Sequence, residues 1–371
     1  MSFQNIITRY LDRAAERYNI PGLDLSIYHH HTEVFRYRRG YADVENLTPI
    51  SESTLYNIYS NTKVITCVAA LQLYEQGEFL LEDPLYIFFP EFEHMKVKQA
   101  DGSLVNARNP ITIRDLFRMT AGIGDGGDYQ EMGMKFYMET GGVCQLSAMP
   151  KYLAECPLLF EPGTQFRYGI CHEMLAALIE KITGTTFGEY LKAHIFRPMG
   201  MTNTAFSLEG CESKQLANHY RFMDHGEPLK NEGPANILIP PILKESASGG
   251  LISSVDDYMK FQEALCREDV LISKRTSDLM RLDQLSGSMR DGYGYTNIGM
   301  GYGLGVRTII DQAACGSTVG FGPYGWGGAA GTYGSIDPEN QLTFFYAQQY
   351  FGPDDLRLHN ALRNVIYTNI K

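Results

Sequence analysis

A chain of 371 residues can bury the core of one large or two medium domains, and 44% hydrophobic with 20% charged residues is ordinary for a globular protein. Its 43 acidic against 32 basic residues give a formal net charge of -11, which repels phosphate backbones and anionic bilayers; nucleic-acid and membrane partners are not expected. No segment approaches the roughly 18 apolar residues of a membrane span.

The N-terminal stretch "MSFQNIITRYLDRAAERYN" has no signal-peptide core or cleavage site. Phe3, Ile6, Ile7, Tyr10, Leu11 and Ala14 instead form the stripe of an amphipathic helix. "GLDLSIYHHHTEVFRYRRGYADV" then reads as two strands joined near His29, His30 and His31. A helix follows from Asn61 to Gln76, closed by Gly77, with Ser60 as its expected N-cap. From about Leu80 to Lys244 short helices alternate with Pro and Gly breakers: "TIRDLFRMT", "YGICHEMLAALIEKITG", and "TFGEYLKAHIFRPMG", where Pro198 is expected to force the end. Ser254 reads as the N-cap of another helix. Residues 299–350 are Gly-rich and strand-like, with "QLTFFYAQQ" a central strand, and the tail from Asp354 is helical with Leu358, Leu362, Val365 and Ile366 on one face.

Strands at both chain ends and helices between them predict an α/β (α+β) fold. One sheet is assembled from both ends and covered by the terminal helices, with a mainly helical region inserted. The expected division is 1–79 with 245–371 as the sheet domain and 80–244 as the helical one, the site lying in the cleft between them. Seven dispersed cysteines (Cys67, Cys144, Cys156, Cys171, Cys211, Cys266 and Cys315) form no CxxC pair, so a reducing, cytoplasmic setting is the expectation.

Several motif matches carry little. "GIGDGG" (122–127) and "GFGPYG" (320–325) fit a dinucleotide pattern but do not sit between a strand and a long helix, so both read as loops. "HEMLA" has Ala176 where a zinc site needs its second histidine, and the three consecutive histidines read as a polar hairpin tip; neither a metal nor a cofactor is expected. Ser60-Asn61-Thr62-Lys63 is the only S-x-x-K in the chain. The pattern is common by chance, and the plain reading is a capping serine with a lysine that reaches solvent. Against that, a lysine in the apolar first turn of a buried helix is an inconsistency of the kind that marks function. Residues i and i+3 share a helix face, burial favours a neutral amine able to accept the serine proton, and the helix-end N–H groups can hold a developing oxyanion.

"TLYNIYSNTKVIT" resembles the first motif of the serine β-lactamase and penicillin-binding-protein superfamily, in the class C-like branch that includes family VIII carboxylesterases. The hairpin "PGLDLSIYHHHTEVFRYRRGYAD", the segment "ITIRDLFRMTAGI", the approach "LFEPGTQFRYG", and "IFRPMGMTNTAF" and "SASGGLISSVDDYMKF" resemble the same branch, so that the likeness runs from about residue 20 to 350. It implies a β-lactamase/transpeptidase-like fold with Ser60 as nucleophile, Lys63 as its proton partner and Tyr168 as the tyrosine of a Y-x-N motif. Trp326-Gly327-Gly328 stands at the third motif, in the Trp-Gly-Gly form that several esterases carry, and the N–H groups of Ser60 and Ala329 would form the oxyanion hole.

Two departures bear on substrate. Ile170 replaces the Asn of Y-x-N, and Trp326 replaces a lysine suited to a substrate carboxylate; Arg167 or Arg307 are the candidates to compensate. The resemblance therefore implies a serine hydrolase acting through an acyl-enzyme on small esters, or an acyltransferase. A peptidase or amidase on D-amino-acid amides, a DD-peptidase with weak β-lactamase activity, and a silent ligand-binding homologue are the alternatives. Oligomeric state is not legible.

Overall fold

The computed structural model describes residues 2–140, 145–208, 215–223, 229–238, 245–293, 298–353 and 355–371, apart from the side chain of Tyr137. Cys144, Cys211, Lys244 and Asp354, named above, lie outside them. An eight-stranded antiparallel sheet runs, edge to edge, through Met300–Tyr302, Arg307–Ile309, Tyr324–Gly325, Tyr333–Asp337, Leu342–Ala347, Gly22–His29, Thr32–Asp43 and Thr48–Pro49. The two chain ends thus meet in the middle of one sheet, Asp24 opposite Ala347 and His29 opposite Leu342.

The central strand is buried on both faces, which is why it reads as an unbroken apolar run rather than an alternating one. Leu342, Phe344 and Tyr346 pack with Leu11, Leu358, Leu362 and Ile366 from the terminal helices Phe3–Tyr18 and Asp355–Asn369. Phe345 and Ala347 point the other way, Phe345 stacking on Tyr258 (4.2 Å) of the helix Val255–Cys266. Ser254 caps that helix through Asp257 N, as its position predicted.

Behind this second face lies the helix Thr62–Glu75, buried over almost its whole length and packed against the helix Cys171–Thr183. It ends where Gly77, at φ +79°, lets Glu78 N reach Leu73 O, a closure that needs a left-handed residue. Two expectations need correcting. Ser60 is not an N-cap: it lies in a 3-10 turn, Tyr59–Asn61, and Asn61 occupies the cap position without a side-chain bond. Pro198 in turn falls one residue before the end, at the start of the short segment Arg197–Met199 where its missing N–H is tolerated, so that after a π-type turn (Lys192–Phe196) the helix is closed by Gly200 in a left-handed cap rather than broken at the proline.

The stretch after the middle helices is also less helical than its composition suggests. Gln215–Leu216 pairs in parallel with Thr54–Asn57, and His219–Arg221 in parallel with Tyr350–Phe351, so the inserted region is laced back to both chain ends. Among the described residues, no helix is long and apolar enough to cross a membrane, and the five described cysteines are all free.

Candidate active site

The strand Thr54–Asn57 delivers the chain to Ser60 through a strained residue. Tyr59 has φ +45°, which costs energy for a bulky side chain, and is held there by its hydroxyl on His219 Nε2 (2.8 Å). Asn57 is pinned at both ends, its N–H to Gln349 Oε1 (3.3 Å) and its C=O from Gln349 Nε2 (3.0 Å). Ser60 itself is half-buried at the mouth of the turn.

Lys63 stands in the first turn of the following helix and is only 4% exposed. Its ammonium donates to Ser248 O (2.6 Å) and lies 4.8 Å from the centre of the Tyr168 ring. No hydrogen bond joins it to Ser60, so the pairing expected from i,i+3 spacing is not made directly; the 3-10 turn places Ser60 off the α-helical line. Thr62 accepts from Leu251 N and Thr66 donates to Ala247 O, fixing the same segment to the same helix.

A carboxylate holds that segment from its other side. Glu173, 1% exposed, accepts from Ser246 Oγ (2.6 Å), Ala247 N (2.9 Å) and Ser248 N (3.0 Å). It is the third residue of the helix that Tyr168 and Ile170 precede. Nothing in the sequence singled it out: an acid in the first turn of a helix is common, and only the fold brings residues 246–248 against it.

Tyr168 and Trp326 are stacked, with ring centres 5.5 Å apart, and Trp326 Nε1 donates to Tyr168 Oη (3.1 Å). Tyr302 packs edge-on against the indole (5.2 Å). The Trp-Gly-Gly segment continues from the strand Tyr324–Gly325 and turns back after Gly328, whose N–H bonds Thr332 O (2.7 Å). A Cβ at Gly328 would stand 2.5 Å from Ile58 O and overlap Thr332 Oγ1, so only glycine lets this backbone lie against the Ser60 turn. Asn61, a second residue the sequence did not mark, ties the two together. With its amide oriented to satisfy both sides, it donates to Trp326 O (3.0 Å) and accepts from Gly328 N (3.2 Å) and Thr332 Oγ1 (2.8 Å). Ala329, just past the turn, is exposed, and neither its N–H nor that of Ser60 has an acceptor among the described residues.

Ser60, Lys63, Tyr168 and Trp326-Gly327-Gly328 are therefore brought together. Ile170 is half-buried and packs into the core beneath. Phe166, Arg167, Tyr168, Gly292, Tyr293 and Trp326 line an open cleft of about 370 Å³. Of the two candidate cations, Arg167 borders this cleft and faces Asp125 at 3.8 Å. Arg307 does not line it; its guanidinium covers Trp326 at 5.5 Å and Tyr333 at 5.8 Å.

His172 of "HEMLA" is fully buried, its ring nitrogen 3.2 Å from Phe117 O, and burial with the nearby Lys63 charge pushes its pKa down to about 3. At the hairpin tip His31 Nδ1 meets Glu263 at 3.0 Å, with Cys266 within 4.8 Å; Glu263 also accepts from Thr343 Oγ1 and Cys266 Sγ donates to Asp337 O (3.6 Å), so each of the three has a hydrogen-bond partner.

An antiparallel sheet with terminal helices on one face, a helical layer on the other and a serine at the junction defines a β-lactamase/transpeptidase-like serine hydrolase. A family model described as Beta-lactamase matches residues 3–367, and the chain belongs to the Beta-lactamase family. It is similar to esterase EstB of Burkholderia gladioli, 27% identical over 88% of this chain and 85% of the relative. An uncharacterised protein of Mycobacterium tuberculosis is 28% identical over 84% of this chain and 81% of its own. Among solved structures, EstCE1, described as a hydrolase with promiscuous acyltransferase activity, superposes with a TM-score of 0.80 at 23% identity, covering 98% of both chains.

Proposed function

We propose that this protein is a carboxylesterase that works through an acyl-enzyme on small esters, with transfer to an acceptor other than water open to the same machinery. Ser60 Oγ attacks the ester carbonyl and gives its proton to the Lys63–Tyr168 pair, which acts one proton short, as neutral amine with phenol or as ammonium with phenolate, and then returns that proton to the departing alkoxide. The N–H groups of Ser60 and Ala329 receive the oxyanion, and water then releases the acid. The observation that carries this reading is the contact of Lys63 with Tyr168, whose hydroxyl is held by Trp326 Nε1: one buried lysine, one tyrosine and the third-motif tryptophan form a single unit at the cleft. The esterase name of the Burkholderia relative supports it. Preference for esters over carboxylate-bearing amides and β-lactams is supported by Trp326 in place of a basic third-motif residue and by the placement of Arg307 away from the cleft lining. The proposed parts that form the cleft are 1–79 with 245–371 and 80–244.

A fluorophosphonate probe tests the nucleophile. We expect stoichiometric labelling of the wild type, none of Ser60→Ala, and loss of at least about 1,000-fold in p-nitrophenyl butyrate turnover in that variant. Turnover of nitrocefin or a D-alanyl amide should be lower by about two orders of magnitude or more. A folded wild type that takes no label would end the proposal.

A further inference from the structure

On the sheet face covered by the C-terminal helix, behind the third-motif strand, two arginines line one space, and among the described residues neither is ion-paired to an acid. Arg363, on the helix Asp355–Asn369, is 4% exposed, and its Nε is sealed from solvent with no acceptor. Among the described residues it makes no ion pair or hydrogen bond. Arg307, half-buried on the neighbouring strand, lies over the aromatic faces of Trp326 and Tyr333 and makes no side-chain ion pair or hydrogen bond among the described residues. Both line one narrow cavity of about 20 Å³, floored by the strands around Gly325 and Tyr333, with room for roughly one water-sized particle or ion.

A guanidinium does not shed its proton in a protein, so burial cannot be relieved by neutralisation, as it would be for a lysine. A buried charge left without a partner costs several kcal/mol, and here two like charges share one space. The pair also reaches the neighbouring His359, whose pKa lies near 3 through burial, with both arginines adding to the depression. The chain carries a net charge of -11, yet among the described residues no carboxylate is paired with either of these arginines. We propose that the cavity between Arg307 and Arg363 binds one compact monovalent anion of halide size, held against the back of the Trp326 strand. The space is too small for a phosphate monoester or a substrate acid, and its lining is aromatic and aliphatic as well as cationic, which suits a weakly hydrated ion. Occupancy would neutralise the guanidinium that lies over the indole, linking anion binding to the active-site tryptophan. The site does not depend on which reaction Ser60 performs.

Trp326 is the only tryptophan in the chain, so its emission reports this site directly. Wild type exchanged into sodium gluconate is titrated with chloride or bromide at constant ionic strength. We expect a saturable change in Trp326 emission and, with the same midpoint, a rise in Tm of roughly 1–3 °C. Arg363→Met should lose both responses and, in gluconate, melt no lower than the wild type, because it removes an uncompensated buried charge. A wild type that responds to halide no more than to added gluconate, or an Arg363→Met that responds as the wild type does, overturns the proposal. Bromide-soaked crystals of the wild type give a reading that needs no variant: an anomalous peak between the two guanidinium groups supports the site, and its absence at saturating bromide rejects it.

Discussion

At the scale of single residues, Trp326 and Lys63 lend themselves to separate tests. The indole does two things to Tyr168: it stacks on the ring and donates Nε1–H to the hydroxyl oxygen. Trp326→Phe keeps an aromatic face and deletes the donor. If the donor orients the phenol for proton transfer, kcat for p-nitrophenyl butyrate falls by about tenfold or more while KM stays within about twofold. An unchanged kcat would reduce Trp326 to packing. Lys63 is a buried cation whose single hydrogen bond goes to a backbone carbonyl, Ser248 O. Such a charge is costly to keep, and Lys63→Met fills the same volume without it. Turnover is expected to drop by at least about 1,000-fold while Tm holds or rises. Loss of activity together with gross destabilisation would assign the lysine a structural role instead.

Between elements, the segment Ser246–Leu251 is held on one side by Thr62, Lys63 and Thr66 and on the other by Glu173. Glu173→Ala strips the partner from a buried hydroxyl and two buried N–H groups at once. At about 1 kcal/mol or more for each donor left unsatisfied, the loss in chemical denaturation is about 3 kcal/mol. Glu173→Gln, which can still accept, should recover part of it. Turnover should follow the same order, because Ser248 O, the hydrogen-bond partner of Lys63, moves with the segment. This clamp was invisible in the sequence for a plain reason: its members are separated by about 75 to 185 residues, and no local pattern relates them. What was legible rests on periodicity and on motif. The terminal helices and the central strand declare themselves by apolar spacing, and Ser60, Lys63, Tyr168 and Trp326 by resemblance. The 3-10 turn at Ser60 was missed because a serine before an apolar helix looks the same whether it caps or precedes the cap. The accommodation of Pro198 was missed because it depends on where the preceding π-type turn (Lys192–Phe196) ends and not on the proline itself.

For the molecule as a whole, the interior fixes how stability responds to acid. His172 and His359 are buried and neutral, with pKa values near 3 in the folded chain against about 6.5 when exposed. Between these values the unfolded chain carries protons that the folded chain refuses, so the contribution is complete above pH 6.5 and drains away as pH falls. His219, also held down by burial, acts in the same direction. Asp24 opposes them. Burial outweighs Arg36 and Arg38 and raises its pKa from 3.8 to about 6, so its contribution is complete below 3.8 and is lost as pH rises through 6. From pH 6 down to about 4, two histidines set against one aspartate leave a net proton uptake on unfolding of about one, a slope near 1.4 kcal/mol per pH unit. Tm should therefore decline steadily over that interval, beginning well above the range near 4 where ordinary carboxylates protonate. His359→Gln, which can still donate to Gly331 O (3.1 Å), removes one titrating group and should flatten the decline, whereas Asp24→Asn removes the opposing group and should steepen it. Melting curves of the three proteins at half-unit steps between pH 4 and 7 distinguish these slopes, and parallel curves would mean that acid acts on the surface rather than through the core.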